Sequence, residues 1–489
     1  MGLESYFEPF RNNIIGLNQV YPTPFGPKQM IYADWIGSGR LYRPIEKILT
    51  ETIGPFVGNT HTETSETGRL MTQAYKAAHR RLKEAVNASS EDVILTTGYG
   101  MTAAVVKFQR ILGLKSTDRE SLSRYPDTRS RPVVFITHME HHSNHTSWYE
   151  TDADVVVIPP GKDLLIDLNH LKDALNKHRD RKVKIGAFTA CSNVTGIRTP
   201  YYKMARLMHE HGGYAFIDFA ASAPYDEINM YPADPMEKLD AIYFSPHKFL
   251  GGPGASGVLI FDSHLYHSKV PDQPGGGTVD WTNPWGEYKY IDDIEVREDG
   301  GTPGFLQAIK AALAMELKQR MGVEMMRSRE VELVTKAFTG LENIPGLHVL
   351  ADSVRERLGV ISFYLEGVHY NLAVRLLSDH FGIQVRGGCA CAGTYGHYLL
   401  DVSYEKSRSI TSKINIGDLS EKPGWIRLSL HPTMTDEELD FIVDALRKVS
   451  ANHRQWETDY TYNRKTNEFQ YKLEVQGLTN VADWYNLNQ

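Results

Sequence analysis

"YFSPHKFLGGPGASGVLIF", Tyr243–Phe261, decides how the chain is read. A short apolar run ends in a Ser-Pro turn, a lysine follows, and a glycine-rich turn leads straight into a second apolar run. Similar short β-branched runs bounded by turn residues recur upstream. They are "VILTT" from Val93, "VVFIT" from Val133, "DVVVIP" from Asp154, "IGAFTA" from Ile185 and "YAFID" from Tyr214. Helical patterns separate several of them, as in "MTQAYKAAHRRLKEAV", where Met71, Ala74, Tyr75, Ala78, Leu82 and Ala85 fall on one face. Strands alternating with helices imply crossover connections, hence an α/β fold whose mostly parallel sheet is covered on both faces. That sheet is expected over roughly Tyr32 to Asp262.

Beyond it the pattern changes. An aromatic and glycine-rich stretch precedes a long helical pattern from Phe305 to about Leu341. "LGVISFYL" and "WIRLSL" then read as strands, and "YNLAVRLLSDHFG" and "DEELDFIVDALRKV" as helices, of a smaller α+β domain. The expected organisation is an N-terminal segment, 1–30, packing with the small domain, and a large domain, 31–304. A connecting helix, 305–345, the small domain, 346–452, and a polar tail, 453–489, complete it. Two long loops, near Lys115 to Pro132 and between Cys391 and Trp425, are candidate lids.

With 489 residues, 41% hydrophobic and 23% charged, the chain has the balance of an ordinary multidomain globular protein. A net charge of −7 gives no footprint for nucleic acid. No apolar stretch approaches the ~20 residues of a membrane helix. The opening "MGLESYFEPF" lacks the regions of a secretory signal, and three unevenly spaced cysteines make no disulfide framework, so a cytoplasmic location is expected.

Ligands of open α/β sheets gather at the carboxyl ends of the strands, and several reactive residues fall there. "GYGMTAA" after Thr97 is a glycine-rich turn opening a helix, suited to a phosphate or simply to the turn. "HMEHHSNH" holds four histidines, His138, His141, His142 and His145, open to a zinc site, a ring-stacking imidazole or a plain polar loop. "YAFID" ends in Asp218, and Lys248 follows a strand under a lid of turns. Pyridoxal phosphate needs a lysine, an acid facing its pyridine nitrogen and a phosphate cup, so the four pieces together suit that cofactor.

The order "TTGYGMTAA", "MEHHSNHTSW", "SNVTGIRTP", "IDFAAS", "FSPHKFLGGPGASGVLI", "GGGTV", "GGTPG" and "WIRLSL" resembles the class V, fold-type I pyridoxal phosphate enzymes, in particular the cysteine desulfurase and selenocysteine lyase branch. The resemblance runs from roughly Ile31 to Ser450. It implies Lys248 as the Schiff-base lysine, His141 stacked on the ring, Asn193 at its phenolic oxygen and Asp218 at its nitrogen. It further implies Tyr99, Gly100, Ser245 and His247 at the phosphate, Thr278 reaching the phosphate of a neighbouring subunit in a homodimer with shared active sites, and Arg427 on the substrate carboxylate. In "QVRGGCACA", alignment on Arg386 and Gly388 puts Cys391 on the family's sulfur nucleophile and leaves Cys389 as a neighbouring thiol. The Cys-x-Cys form also resembles the desulfurase domain of molybdenum cofactor sulfurases.

The implied activity is removal of sulfur from L-cysteine, or selenium from selenocysteine, with alanine as product and a persulfide on the enzyme, passed to a protein or small-molecule acceptor. Two departures touch the cofactor's surroundings: Ala221 stands where glutamine is common, and Met101 where glutamate is common. The alternatives are an aminotransferase, a C–S β-lyase or an epimerase using the same cofactor without a persulfide, and a zinc-binding scaffold built on the histidines. Cys191 reads as a small buried hydrophobe.

Overall fold

The lysine turn joins two strands that lie side by side and run in opposite directions. In the computed structural model, which describes residues 2–115, 125, 127–473, 475 and 481–487, Ala241–Phe244 and Gly257–Asp262 pair antiparallel, with Val258 opposite Phe244. A turn with no crossover helix between them leaves no other direction for the second strand. Residues 116–124 and 126 of the charged loop expected as a lid lie outside the described residues.

Among the described residues seven strands form the larger sheet. In chain order they are β1 (Asp92–Thr97), β2 (Val133–Thr137), β3 (Asp154–Ile158), β4 (Lys184–Thr189), β5 (Tyr214–Asp218), β6 (Ala241–Phe244) and β7 (Gly257–Asp262). Their spatial order is β1-β7-β6-β5-β4-β2-β3. Strands β2 to β6 pair in parallel, while β7 is antiparallel to β1 and β6. The sheet is thus mostly parallel, as its buried apolar runs require. The helix α2 (Met101–Ile111), which follows the helix α1 (Glu66–Ala85), inserts Met101, Val105 and Phe108 among Phe216, Tyr243, Leu259 and Phe261 of the sheet. Each fully buried side chain of that size contributes about 1.5–3 kcal/mol, enough to fix the helix start at Gly100 beside the strand ends.

The chain forms two compact units. The larger comprises Gly37–Ser192 and Ile197–Glu324 and carries this sheet. The smaller comprises Met1–Ile36, Asn193–Gly196 and Met325–Gln489. Its four-stranded antiparallel sheet consists of β8 (Leu347–Val349), β9 (Val360–Leu365), β10 (Arg386–Gly388) and β11 (Trp425–Ser429), in the order β8-β9-β11-β10. The helices Tyr370–Phe381 and Asp436–Trp456 pack together, and the first also lies on this sheet.

Two expectations change. The helical pattern from Phe305 to Leu341 is two helices, Phe305–Met321 and Val323–Leu341, parted at Gly322, whose φ of 76° is left-handed. The stretch between Cys391 and Trp425 is not structureless: it holds the helices Gly393–Leu399 and Tyr404–Asn415, the second opened by Ser403, whose hydroxyl accepts from the Lys406 amide at 3.2 Å. In the tail, Tyr460–Asn463 and Glu468–Tyr471 form a hairpin. No helix among the described residues is long and apolar enough to cross a membrane.

The lysine turn tolerates little change. A Cβ at Gly252 would overlap the Pro246 carbonyl oxygen, backbone that only a shift of the turn could move. Gly252→Ala is expected to lower unfolding stability by about 2 kcal/mol or more, read by denaturant titration.

Candidate active site

Every parallel strand of the larger sheet ends on the same edge, so loops distant in sequence meet there. The amide of Met101, first residue of α2, donates to Ser245 Oγ at 2.8 Å. A Cβ on Gly100 would stand 3.0 Å from that hydroxyl and 3.5 Å from His247 Nε2, so glycine keeps open a small cradle between helix start, serine and imidazole. Free amides at a helix start suit a phosphate. Burial, with the nearby Lys248 charge, holds His247 down at about 4, so its ring is neutral at pH 7. Tyr99, by contrast, is 91% exposed.

Asp218 ends β5 and is buried, with the Ala220 amide donating to Oδ1 at 2.8 Å. Burial pushes its carboxyl up to about 6, against the pull of that amide and of Lys248, which lies within its electrostatic reach. An anion so placed calls for a facing cation, the role a protonated pyridine nitrogen fills. Lys248 is half-buried in the 3-10 turn Pro246–Lys248. His141 caps the helix α3 (His142–Tyr149), its Nδ1 accepting from the Ser143 amide at 3.1 Å, which leaves the proton of the neutral ring on Nε2. Of the other histidines, His142 lies with its ring centroid 6.3 Å from that of His141. His138 Nε2 lies 2.9 Å from the Leu164 carbonyl oxygen, and the His145 ring packs on Tyr149. Among the described residues no group of three or more His, Cys, Asp or Glu is placed to share a metal ion.

Behind these groups runs a buried polar network. Glu140 accepts from Thr137 Oγ1 at 2.7 Å, the Thr189 amide at 3.0 Å and Asn144 Nδ2 at 2.8 Å. Asn144 Oδ1 in turn accepts from the Tyr243 hydroxyl at 2.7 Å and from Trp148 Nε1 at 3.2 Å. Burial drives the Glu140 carboxyl up to about 8 despite its donors.

The smaller unit carries a second cluster. Arg386 and Arg427 are direct partners across β10 and β11, two like charges face to face. Asp34 resolves the conflict. It pairs with Arg427 Nη2 through Oδ1 at 2.8 Å and with Arg386 Nη2 through Oδ2 at 2.8 Å. Its position follows from backbone pairing, since Ile31–Tyr32 runs parallel to Ile383–Gln384 and Asp34 bridges to Ser429. Arg427 is 4% exposed, its Nη1 donates to the Asn193 carbonyl at 3.2 Å, and its Nε has no partner among the described residues. Two guanidinium groups on one carboxylate leave a net positive charge, which a substrate carboxylate matches.

Cys391 is exposed and lies within electrostatic reach of both arginines. Asn193 Nδ2 donates to the Ala390 carbonyl beside it at 2.7 Å, while Asn193 Oδ1 has no partner among the described residues. The smaller unit therefore brings together Asn193, Cys391 and Arg427, and the larger one Gly100, Asp218, Ser245, His247 and Lys248. Thr278 is different. It is fully buried, and its hydroxyl donates to the Gly275 carbonyl at 2.6 Å within its own turn. Cys191 is buried. Asp34 and Glu140 went unread as site residues in the sequence. The signal for the first was an acid closing the short apolar run "IYAD"; the second stood beside His141 in the histidine stretch.

Asp34→Asn removes the anion shared by facing guanidinium groups and is expected to cost about 3 kcal/mol of stability in denaturant titrations. Glu140, with an ordinary value of 4.5 raised to about 8, keeps a proton in the folded chain that the unfolded chain gives up. Its contribution is full below pH 4.5 and is lost as pH rises through 8. Glu140→Gln should flatten the fall of stability across that window, by up to about 1.4 kcal/mol per pH unit.

The chain has clear relatives. The aminotransferase class-V family model matches residues 31–442. A protein of Halalkalibacterium halodurans described as "Probable cysteine desulfurase" is 28% identical over 372 residues, 74% of this chain and 84% of that one. One of Staphylococcus aureus with the same description is 25% identical over 428 residues, 86% and 92% of the two chains. Among solved structures, the fold is similar to a cysteine desulfurase from Thermococcus onnurineus, with a TM-score of 0.72 at 21% identity over 91% of this chain and 98% of that one. The cysteine desulfurase CsdA of Escherichia coli gives 0.68 at 21% identity over 90% and 97%. The lysine turn and the strand-end cluster lie inside the family match, and the chain belongs to the class V aminotransferases, a family that works with pyridoxal phosphate.

Proposed function

We propose that this protein is a pyridoxal phosphate-dependent cysteine desulfurase that acts as a homodimer on L-cysteine or selenocysteine. The observation that carries the reading is an exposed cysteine on a turn beside two arginines that share one carboxylate. The described relatives support the same substrate class.

The residues fit the cofactor. Lys248 would bind its aldehyde carbon, Asp218 would face its ring nitrogen, and His141 and Asn193 would contact the ring. Gly100, Ser245, His247 and the start of α2 would hold the phosphate, with Tyr99 at the rim. When bound, pyridoxal phosphate supplies an aldehyde that captures an amine and a ring that withdraws electrons from the captured carbon skeleton.

The chain's own groups do the rest. Arg427, with its unpartnered Nε, takes the substrate carboxylate, and Arg386 adds charge beside it. The Lys248 amine moves the proton at the substrate α-carbon. The Cys391 thiolate attacks the substrate sulfur, the carbon–sulfur bond breaks, and the carbon keeps the electron pair and takes a proton. Alanine leaves, and Cys391 retains the sulfur as a persulfide.

The test is product analysis of the protein with L-cysteine and a thiol reductant. Alanine and sulfide are expected in equal amounts, falling by about 1,000-fold or more in Cys391→Ser. Pyruvate and ammonia from both proteins would sink the reading in favour of β-elimination at the same cofactor.

A further inference from the structure

Cys389 and Cys391 share one tight turn at the end of β10. The Ala392 amide donates to the Cys389 carbonyl at 3.1 Å, closing a four-residue turn. Its central residues, Ala390 and Cys391, have φ of 50° and 56°. Positive φ at both central positions defines a primed turn, which favours Asn and Gly. An alanine and a cysteine there cost about 1–2 kcal/mol each. Asn193 Nδ2 holds the strained turn by its bond to the Ala390 carbonyl, at 2.7 Å.

Two consequences follow. Residues one apart can span at most about 7 Å when extended, and a turn shortens that into the ~4.4–6.8 Å that a disulfide bridges. The two thiols also differ in surroundings. Cys391 is exposed and near two guanidinium groups. Cys389 is half-buried, within electrostatic reach of Tyr370, whose hydroxyl is already engaged with Asn467 at 2.6 Å and the Lys422 carbonyl at 3.2 Å. A metal clip does not explain the pair, because no third ligand is placed near it among the described residues.

Resting on the desulfurase reading above, we propose that Cys389 is the resolving thiol of this turn. Once Cys391 carries the extra sulfur, the Cys389 thiolate attacks Cys391 Sγ. A Cys389–Cys391 disulfide forms as the persulfide S–S bond breaks. The electron pair leaves with the terminal sulfur, and hydrosulfide departs, taking up the proton that Cys389 gave. One S–S bond replaces another, so no oxidant is needed. A thiol reductant then restores both cysteines by exchange, and the strain of so small a ring makes the bridge easy to reduce. Sulfur thus leaves this turn as free hydrosulfide, with no acceptor protein required to reach Cys391.

The holoenzyme is charged without reductant by two routes: limiting L-cysteine, and sodium polysulfide, which loads exposed thiolates without the cofactor's chemistry. Intact mass, free thiols and released hydrosulfide are then measured. By both routes the chain should lose two hydrogens and two titratable thiols, and with L-cysteine it should release stoichiometric hydrosulfide. Cys389→Ser should instead keep an added sulfur on Cys391 by both routes and, with L-cysteine, release no hydrosulfide. An added sulfur retained on Cys391 of the unaltered protein, or found on Cys389, overturns the proposal. Failure of the desulfurase reading looks different. L-Cysteine then yields no alanine and no change in mass, while polysulfide still produces the bridge if Cys389 resolves, or the retained sulfur if it does not.

Discussion

One carboxylate makes the smaller unit's site possible. Antiparallel register sets Arg386 directly opposite Arg427, an arrangement that repels unless an anion is shared between them. Asp34 is that anion, and it comes from a segment near the other end of the chain, threaded beside Ile383–Gln384 and Ser429. The cysteine turn hangs directly from the strand that carries Arg386. The position of the thiols therefore depends on a residue far from them in sequence. The same carboxylate sets the local charge, because it pairs with both guanidinium groups and leaves one positive charge in excess.

The larger unit obeys a different constraint. Parallel strands deliver their carboxyl ends to one edge, and there the helix start, Asp218 and the lysine turn converge. The glycines of the turn allow backbone to pass within the distance of a missing side chain, so main chain packs closely around Lys248. Behind it, Glu140, Asn144, Trp148 and Tyr243 form a buried polar network that fixes α3, and with it His141, against the sheet. Networks of this kind rigidify a core when their members are satisfied.

Much of this was legible in the residues. Short apolar runs closed by Asp218, by the Ser-Pro-His-Lys turn and by the Gly-Tyr-Gly turn mark strand ends, and strand ends carry the chemistry of such sheets. Other features left no such mark. The helix Tyr404–Asn415 buries only Ile410, so its sequence has no apolar stripe to reveal it. Asp34 could be seen as an acid after a strand, but not as the partner of two arginines.

The sequence by itself determined the alternation of strands and helices and, through the order of its motifs, the family, because periodicity, turn residues and motifs are local properties of the chain. Only the tertiary structure decided which charges face each other and which amide holds the cysteine turn. Those outcomes depend on the register between segments distant in the chain, and a shift of one residue in a strand would turn every side chain on it to the other face.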